Sequence, residues 1–192
     1  MSDMPDEVKN AVDEDLREAR APVSRFHIFR ASDAEALDDH NMPHENITPT
    51  DEAGIAQSSA AGALEGAFAK VLFADEASGM SVGYAWFKPG FVLPRHSHDA
   101  DCAYYVISGE AHLGTEVLRA GDGFFVPSGH NYQYTAGPDG VEVLECRNAT
   151  QFNLRLSGNS AAAWARVTAA AVTNRDRWRE MEPPPAAARM LG

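Results

Sequence analysis

The chain has 192 residues, with 16 Lys and Arg against 28 Asp and Glu, for a formal net charge of −12. This length suits one domain with appended elements and a working core, and the acidic balance repels phosphate backbones and anionic lipid, which excludes nucleic acid and membrane surfaces as favoured partners. No apolar run reaches the length of a membrane span and the N-terminal "MSDMPDEVKNAVDEDLREAR" lacks the basic and apolar layout of a signal peptide, so the expected compartment is the cytoplasm, where Cys102 and Cys146 are reduced thiols.

Residues 1–23 are charged, carry no sustained apolar face and read as a loose acidic extension. In the next segment, 24–65, "SRFHIFRA" has the character of an edge strand and leads into a polar stretch without periodicity, "SDAEALDDHNMPHENITPTDEAGIAQSS", expected to be a long loop. His40 and His44 within it have the spacing of two ligands on one helical turn. Pro43 between them argues against that helix, which leaves two solvated histidines. His27 is expected on a strand surface.

From Gly66 to Leu156 the texture is all β. "AFAKVLFA", "MSVGYAWF", "AYYVI", "EAHL", "EVLR", "GFFVP", "NYQYTA", "VEVLECR" and "FNLRL" are short runs rich in Val, Tyr, Phe and Trp, separated by Gly, Pro and Asp. "ISGE", "RAGDG" and "AGPDG" are expected as turns, the last through the fixed φ of Pro138. The economical architecture is an all-β fold, an antiparallel β-barrel or jelly roll. Residues 157–192 switch to an alanine-rich helix that sets Trp164, Val167, Ala171, Trp178 and Met181 on one face and ends at the proline run beginning at Pro183. Such a helix braces the barrel or a partner subunit.

The chemistry concentrates in "KPGFVLPRHSHDADCAYYVISGE". On an extended strand residues i and i+2 point to one face, so His96 and His98 project together, and neutral imidazole suits iron, zinc, copper or nickel. After the turn "DAD", Cys102, Tyr104 and Val106 share a face, opposite to Ala103, Tyr105 and Ile107.

"PGFVLPRHSH", followed after three residues by Cys102 and later by Gly109, resembles the first cupin motif, and "GDGFFVPSGHNY" resembles the second. The resemblance covers about Gly66 to Leu156 and implies a barrel holding one divalent metal through His-x-His, a Glu and a later His. Here the Glu slot holds Cys102 and the last His slot holds Tyr132. A thiolate in place of a carboxylate favours zinc or copper(I) over a hard ion. The implied metal ligands are His96, His98 and Cys102, for a transition ion (Fe, Zn, Mn, Cu or Ni), with Asp99 and Asp101 as less suited carboxylates and His130 or Tyr132 as substitutes or as the catalytic acid–base pair. A phenol with an ordinary pKa of about 10 needs a cation to become a ligand. Each residue also has a plain structural role open to it: hydrogen-bonding histidines in a barrel without metal, Cys102 as a small apolar filler, Tyr132 as a lining donor, His130 as a loop residue, His112 facing solvent and Cys146 in the core.

Thiol dioxygenases are cupins that similarly carry a cysteine at the Glu slot but keep three histidines on the metal, a pattern that Tyr132 departs from. The resemblance therefore implies a metal-dependent enzyme acting on a small organic molecule, a dioxygenase first and a lyase, isomerase or cyclase next. A non-catalytic barrel that binds a small ligand is the alternative, because fold does not choose between them. Tyr84, Trp86, Phe124, Phe125 and Tyr134 are candidate pocket walls, about half of which must face outward. Apolar surface on "SRFHIFRA" and on the Trp-bearing helix suggests a homodimer.

Overall fold

A computed structural model describes residues 24–38 and 41–192. The acidic extension 1–23 and His40 lie outside the described residues.

Among the described residues ten strands and three α-helices follow in chain order: β1 (Glu35–Ala36), β2 (His44–Glu45), α1 (Pro49–Ala60), β3 (Ala67–Asp75), β4 (Met80–Phe87), β5 (His96–Ser97), β6 (Cys102–Leu113), β7 (Glu116–Arg119), β8 (Gly123–Val126), β9 (Thr135–Arg147), β10 (Leu154–Leu156), α2 (Ala161–Glu180) and α3 (Pro185–Leu191). A seven-stranded sheet runs β1-β3-β4-β9-β6-β7 with β8 also paired to β6, and a three-stranded sheet runs β2-β10-β5. Every pairing is antiparallel except β10 with β2. Together they make the jelly-roll barrel with a C-terminal helix that the strand texture predicts.

Period-two patterning fixes what faces inward. In β6 Cys102, Tyr104 and Val106 are buried while Ala103, Tyr105 and Ile107 are exposed. In β9 Val141, Val143, Glu145 and Arg147 are buried on the inner side. β4 is covered on both faces: Ala85 and Phe87 enter the barrel core with Val106, Val143, Tyr132 and Tyr134, whereas Tyr84 and Trp86 pack outside it against Ala187 and Met190 of α3.

The helix α2 braces the barrel. Its Trp164, Val167, Ala171 and Trp178 are buried, Trp164 Nε1 donates to Asp51 Oδ1 at 3.0 Å and Trp178 Nε1 donates to the Pro89 carbonyl at 2.9 Å. Both indoles are consumed within the chain.

Several local expectations are corrected. The "loop" after residue 32 contains α1, which is nucleated by a capping box: Thr48 Oγ1 accepts from Asp51 N, Asp51 Oδ2 accepts from Thr48 N, and Pro49 sits at the first helical position. Its weak apolar pattern hid it, because its buried positions are Asp51, Gly54 and Ser58. "SRFHIFRA" is not a strand. The free edge of β3 is taken by Glu35 and Ala36, opposite Val71 and Lys70, and His27 and Phe29 instead lay their rings near Phe73, at centroid distances of 5.7 and 5.6 Å.

"ISGE" and "AGPDG" are bulges within long strands, not reversals. Between β6 and β9 the register passes from Gly109 opposite Val141 to Ala111 opposite Ala136, so the residues from Gly137 to Gly140 bulge against Glu110. Gly109 supplies φ +72, and a Cβ there would lie 2.0 Å from the Gly140 carbonyl oxygen. Only the end of "NYQYTA" joins β9. The proline-rich tail forms α3, with Pro185 in its first turn. Cys146 is exposed, since it alternates outward between Glu145 and Arg147.

Candidate functional site

His96 and His98 both enter the barrel, 3% and 6% exposed, because β5 is extended and pairs with β10 through Leu156 and Arg155. Their rings lie edge to face, with centroids 4.9 Å apart. His96 Nδ1 is 2.7 Å from the Pro94 carbonyl and His98 Nδ1 is 2.5 Å from the Asn153 carbonyl. A carbonyl only accepts, so each Nδ1 carries the proton and each Nε2 keeps its lone pair. Burial holds both rings down, to about 4, aided at His96 by the neighbouring His98 and at His98 by Arg147. Both are neutral at physiological pH.

Tyr132 stands directly opposite His96. The two exchange backbone bonds, His96 N to Tyr132 O at 3.1 Å and Tyr132 N to His96 O at 2.9 Å, and this pairing brings the phenol hydroxyl to 2.8 Å from His96 Nε2. Since Nε2 accepts, Tyr132 is the donor. The Tyr132 hydroxyl also meets the Tyr104 hydroxyl, and Tyr104 accepts from Arg147 Nη2 at 3.5 Å. Burial pushes the Tyr104 and Tyr132 phenols well above the ordinary range, so they stay protonated.

A buried ion pair, not anticipated from the motifs, completes the centre. Arg147 Nη2 lies 2.5 Å from Glu145 Oε2, and the guanidinium carbon sits 3.9 Å from the Phe152 ring centroid. Burial works against the Arg147 charge, but Glu145, together with Tyr104 and Cys102, more than offsets it and holds the guanidinium protonated. The parity of "VEVLECR" carries the signal: Glu145 and Arg147 share the inward face of Val141 and Val143. Gly83 faces this pair without a side chain, its Cβ position lying 3.5 Å from Arg147 Nη1.

Cys102 is 1% exposed, between Tyr104 and the end of β9. Burial pushes its thiol up to about 12, so it is neutral. Among the described residues no three of His, Cys, Asp and Glu are placed to hold one ion. Asp99 instead accepts from Asn153 N at 2.8 Å, and Asp101 accepts from Ser128 N at 2.8 Å and from Asn148 Nδ2 at 3.0 Å. His130 is exposed on the turn after Pro127 and lines an outer cleft together with Tyr132. Of the five residues singled out from the sequence, the structure joins His96, His98 and Tyr132 and leaves His130 on the outer side of Tyr132.

Inward imidazoles from alternate positions on a short extended segment, facing a jelly-roll sheet, are the arrangement on which the cupin resemblance rests. A model of the ChrR cupin-like domain matches residues 53–150. The chain belongs to that family. This cupin is also similar to solved structures: KdgF from Halomonas sp. (21% identity, TM-score 0.40, 43% of this chain and 77% of that one), oxalate decarboxylase from Bacillus subtilis at pH 4.6 (20%, 0.41, 45% and 27%) and the DMSP lyase DddQ from Ruegeria pomeroyi DSS-3 (20%, 0.38, 42% and 46%). No curated protein sequence matches it. The cupin's described residues contain no helix long and apolar enough to cross a membrane.

Of the aromatic strand residues, Phe124 and Tyr134 line the cupin's interior and Phe124 stacks on Tyr104 at a centroid distance of 4.4 Å. Tyr84 and Trp86 belong to the outer cluster under α3, and Phe125 is 63% exposed.

Proposed function

We propose that this cupin is a metal-dependent enzyme acting on a small organic molecule, with dioxygenase-type oxygenation as the reaction class to test first. One observation carries the reading: His96 and His98 each spend Nδ1–H on a backbone carbonyl and present an Nε2 lone pair to the barrel centre, the tautomer and outer support that a ligating imidazole needs. The residues fit an ion held by these two imidazoles, with Tyr132 as the nearest further oxygen. Cys102, a neutral thiol, is not a donor without losing its proton.

A bound transition ion would supply Lewis-acid or oxygen-activating chemistry. The chain itself supplies the rest. Tyr132 holds a proton at its hydroxyl, between His96 and Tyr104, where a substrate oxygen displacing either contact would receive it. Arg147, fixed by Glu145 and Phe152, places a cation behind Tyr104 that stabilises negative charge there.

A second reading, a non-catalytic barrel that binds a small ligand, is favoured by the Tyr132 hydroxyl already filling His96 Nε2 and by the cationic Arg147 near His98. Metal analysis of protein purified without added metal separates the two. Stoichiometric iron, manganese, zinc, copper or nickel that is lost in His96→Ala and in His98→Ala, with oxygen uptake on diketones, phenols or thiols, supports the enzyme. An empty barrel of unchanged stability moves the assignment to the binder.

A further inference from the structure

A cleft of about 570 Å³ opens beside Tyr132. Its charge is opposite to that of the molecule. In a chain with 28 acidic and 16 basic side chains, the cleft is lined by Arg95, Arg166 and His130 and by no Asp or Glu. The arginines reach it from different elements, Arg95 from the segment just before β5 and Arg166 from the second turn of α2. Neither guanidinium has an ion-pair or hydrogen-bond partner among the described residues, although exposed arginines in so acidic a protein have many carboxylates to choose from. The cleft also has an aromatic lining, to which Phe124 and Tyr132 contribute from the inward face of the barrel.

We infer that this cleft binds a small aromatic carboxylate, its anionic end on Arg95 and Arg166 and its ring against Phe124 and Tyr132, which share the inward face. Two guanidiniums without counter-ions suit a carboxylate, which accepts paired N–H donors. The ring supplies the apolar burial that a carboxylate alone lacks. A cationic mouth on an acidic body focuses the field, so it draws an anion that the rest of the surface repels. The site gains meaning from Tyr132, which walls the cleft on one side and donates to His96 on the other. As a substrate assignment, the inference rests on the enzyme reading of the barrel centre.

The test is binding of benzoate and phenylacetate to the full chain by titration calorimetry, against benzamide and phenylacetamide, which keep the ring and lose the charge. We expect the acids to bind at least about tenfold more tightly than the amides, and Arg95→Ala and Arg166→Ala each to weaken the acids by about tenfold. Added salt should reduce the acids' affinity and leave the amides unchanged. Both arginines are exposed, so the variants fold, and their metal content should equal that of the parent protein. Equal affinity for acids and amides, no effect of either variant, or no binding of either acid at millimolar concentration overturns the inference. If the parent protein holds no metal but the acid preference and both arginine effects appear, the enzyme reading fails and the anion cleft stands.

Discussion

The Tyr132 hydroxyl donates to His96 Nε2 across a backbone pairing that locks the two residues opposite one another. Removing only that oxygen is therefore a clean perturbation. Tyr132→Phe should keep the fold, because the ring remains packed among Tyr104, Phe124 and Tyr134, yet it leaves His96 Nε2 and the Tyr104 hydroxyl without their shared partner. A stability loss of about 1–3 kcal/mol is expected in urea denaturation, the cost of unpaired buried polar groups. If Tyr132 holds the proton used in turnover, the variant also loses activity while keeping its metal.

Acid should destabilise the barrel well before its carboxylates titrate. His96 and His98 are held down to about 4 in the folded chain, against about 6.5 when unfolded. Their contribution is fully present above pH ~6.5 and is lost as pH falls toward ~4, because the unfolded chain takes up those protons first. The upper bound is about 3 kcal/mol per ring. Denaturation midpoints at pH 7, 5.5 and 4.5 should fall steadily, and the slope should flatten in His96→Gln and His98→Gln. A flat profile in the parent protein would show that the rings are not buried as neutral imidazoles.

The two cysteines should separate by reactivity. Cys146 is exposed, whereas Cys102 is buried and its thiol is pushed up to about 12. At pH 8 a thiol reagent should label one cysteine per chain in the native protein and both in denaturant. Cys146→Ser should abolish the native labelling. Fast labelling of Cys102 would mean that the barrel centre opens to solvent.

Glu145 and Arg147 form a pair inside the barrel at 2.5 Å. Either single change, Glu145→Leu or Arg147→Met, strands a buried group and should cost about 3–5 kcal/mol. The double variant Glu145→Leu with Arg147→Met should recover most of that loss. A double-mutant cycle with no coupling would remove the pair from the account of stability.

Legibility followed periodicity. Strands β4 and β7 are readable to the residue because a Gly or Pro lies within two residues of each end, and the inward set Cys102, Tyr104 and Val106 follows from alternation alone. Glu145 and Arg147 obey the same alternation, but charged residues at inward positions run against burial preference, so the core reading passed over them. "ISGE" and "AGPDG" carry turn chemistry because a bulge asks the same of its residues: positive φ at Gly109 and Gly140 and close backbone approach. Helix α1 was missed because its inward side is small or polar, and only the Thr48 to Asp51 cap announced it. The strand placement of His96 and His98 was legible from their spacing. The His130 position was not, since a turn's direction depends on contacts distant in sequence.

The same small inward face makes Gly54 a sensitive position. In an exposed helix interior Gly→Ala stabilises by about 1 kcal/mol. Here a Cβ would fall 2.1 Å from Trp164 Cγ, and that indole is pinned by its bond to Asp51 and by burial against Leu156 and Val167. Gly54→Ala must push α1 away from α2 and strain the Asp51 contact, so the sign reverses and stability should drop by about 1–3 kcal/mol. Relieving the clash with Trp164→Leu in the same chain should restore part of the loss, although Trp164→Leu alone destabilises. Thermal denaturation of the single and double variants checks this, and a Gly54→Ala protein as stable as the parent would mean that the two helices do not pack through this glycine.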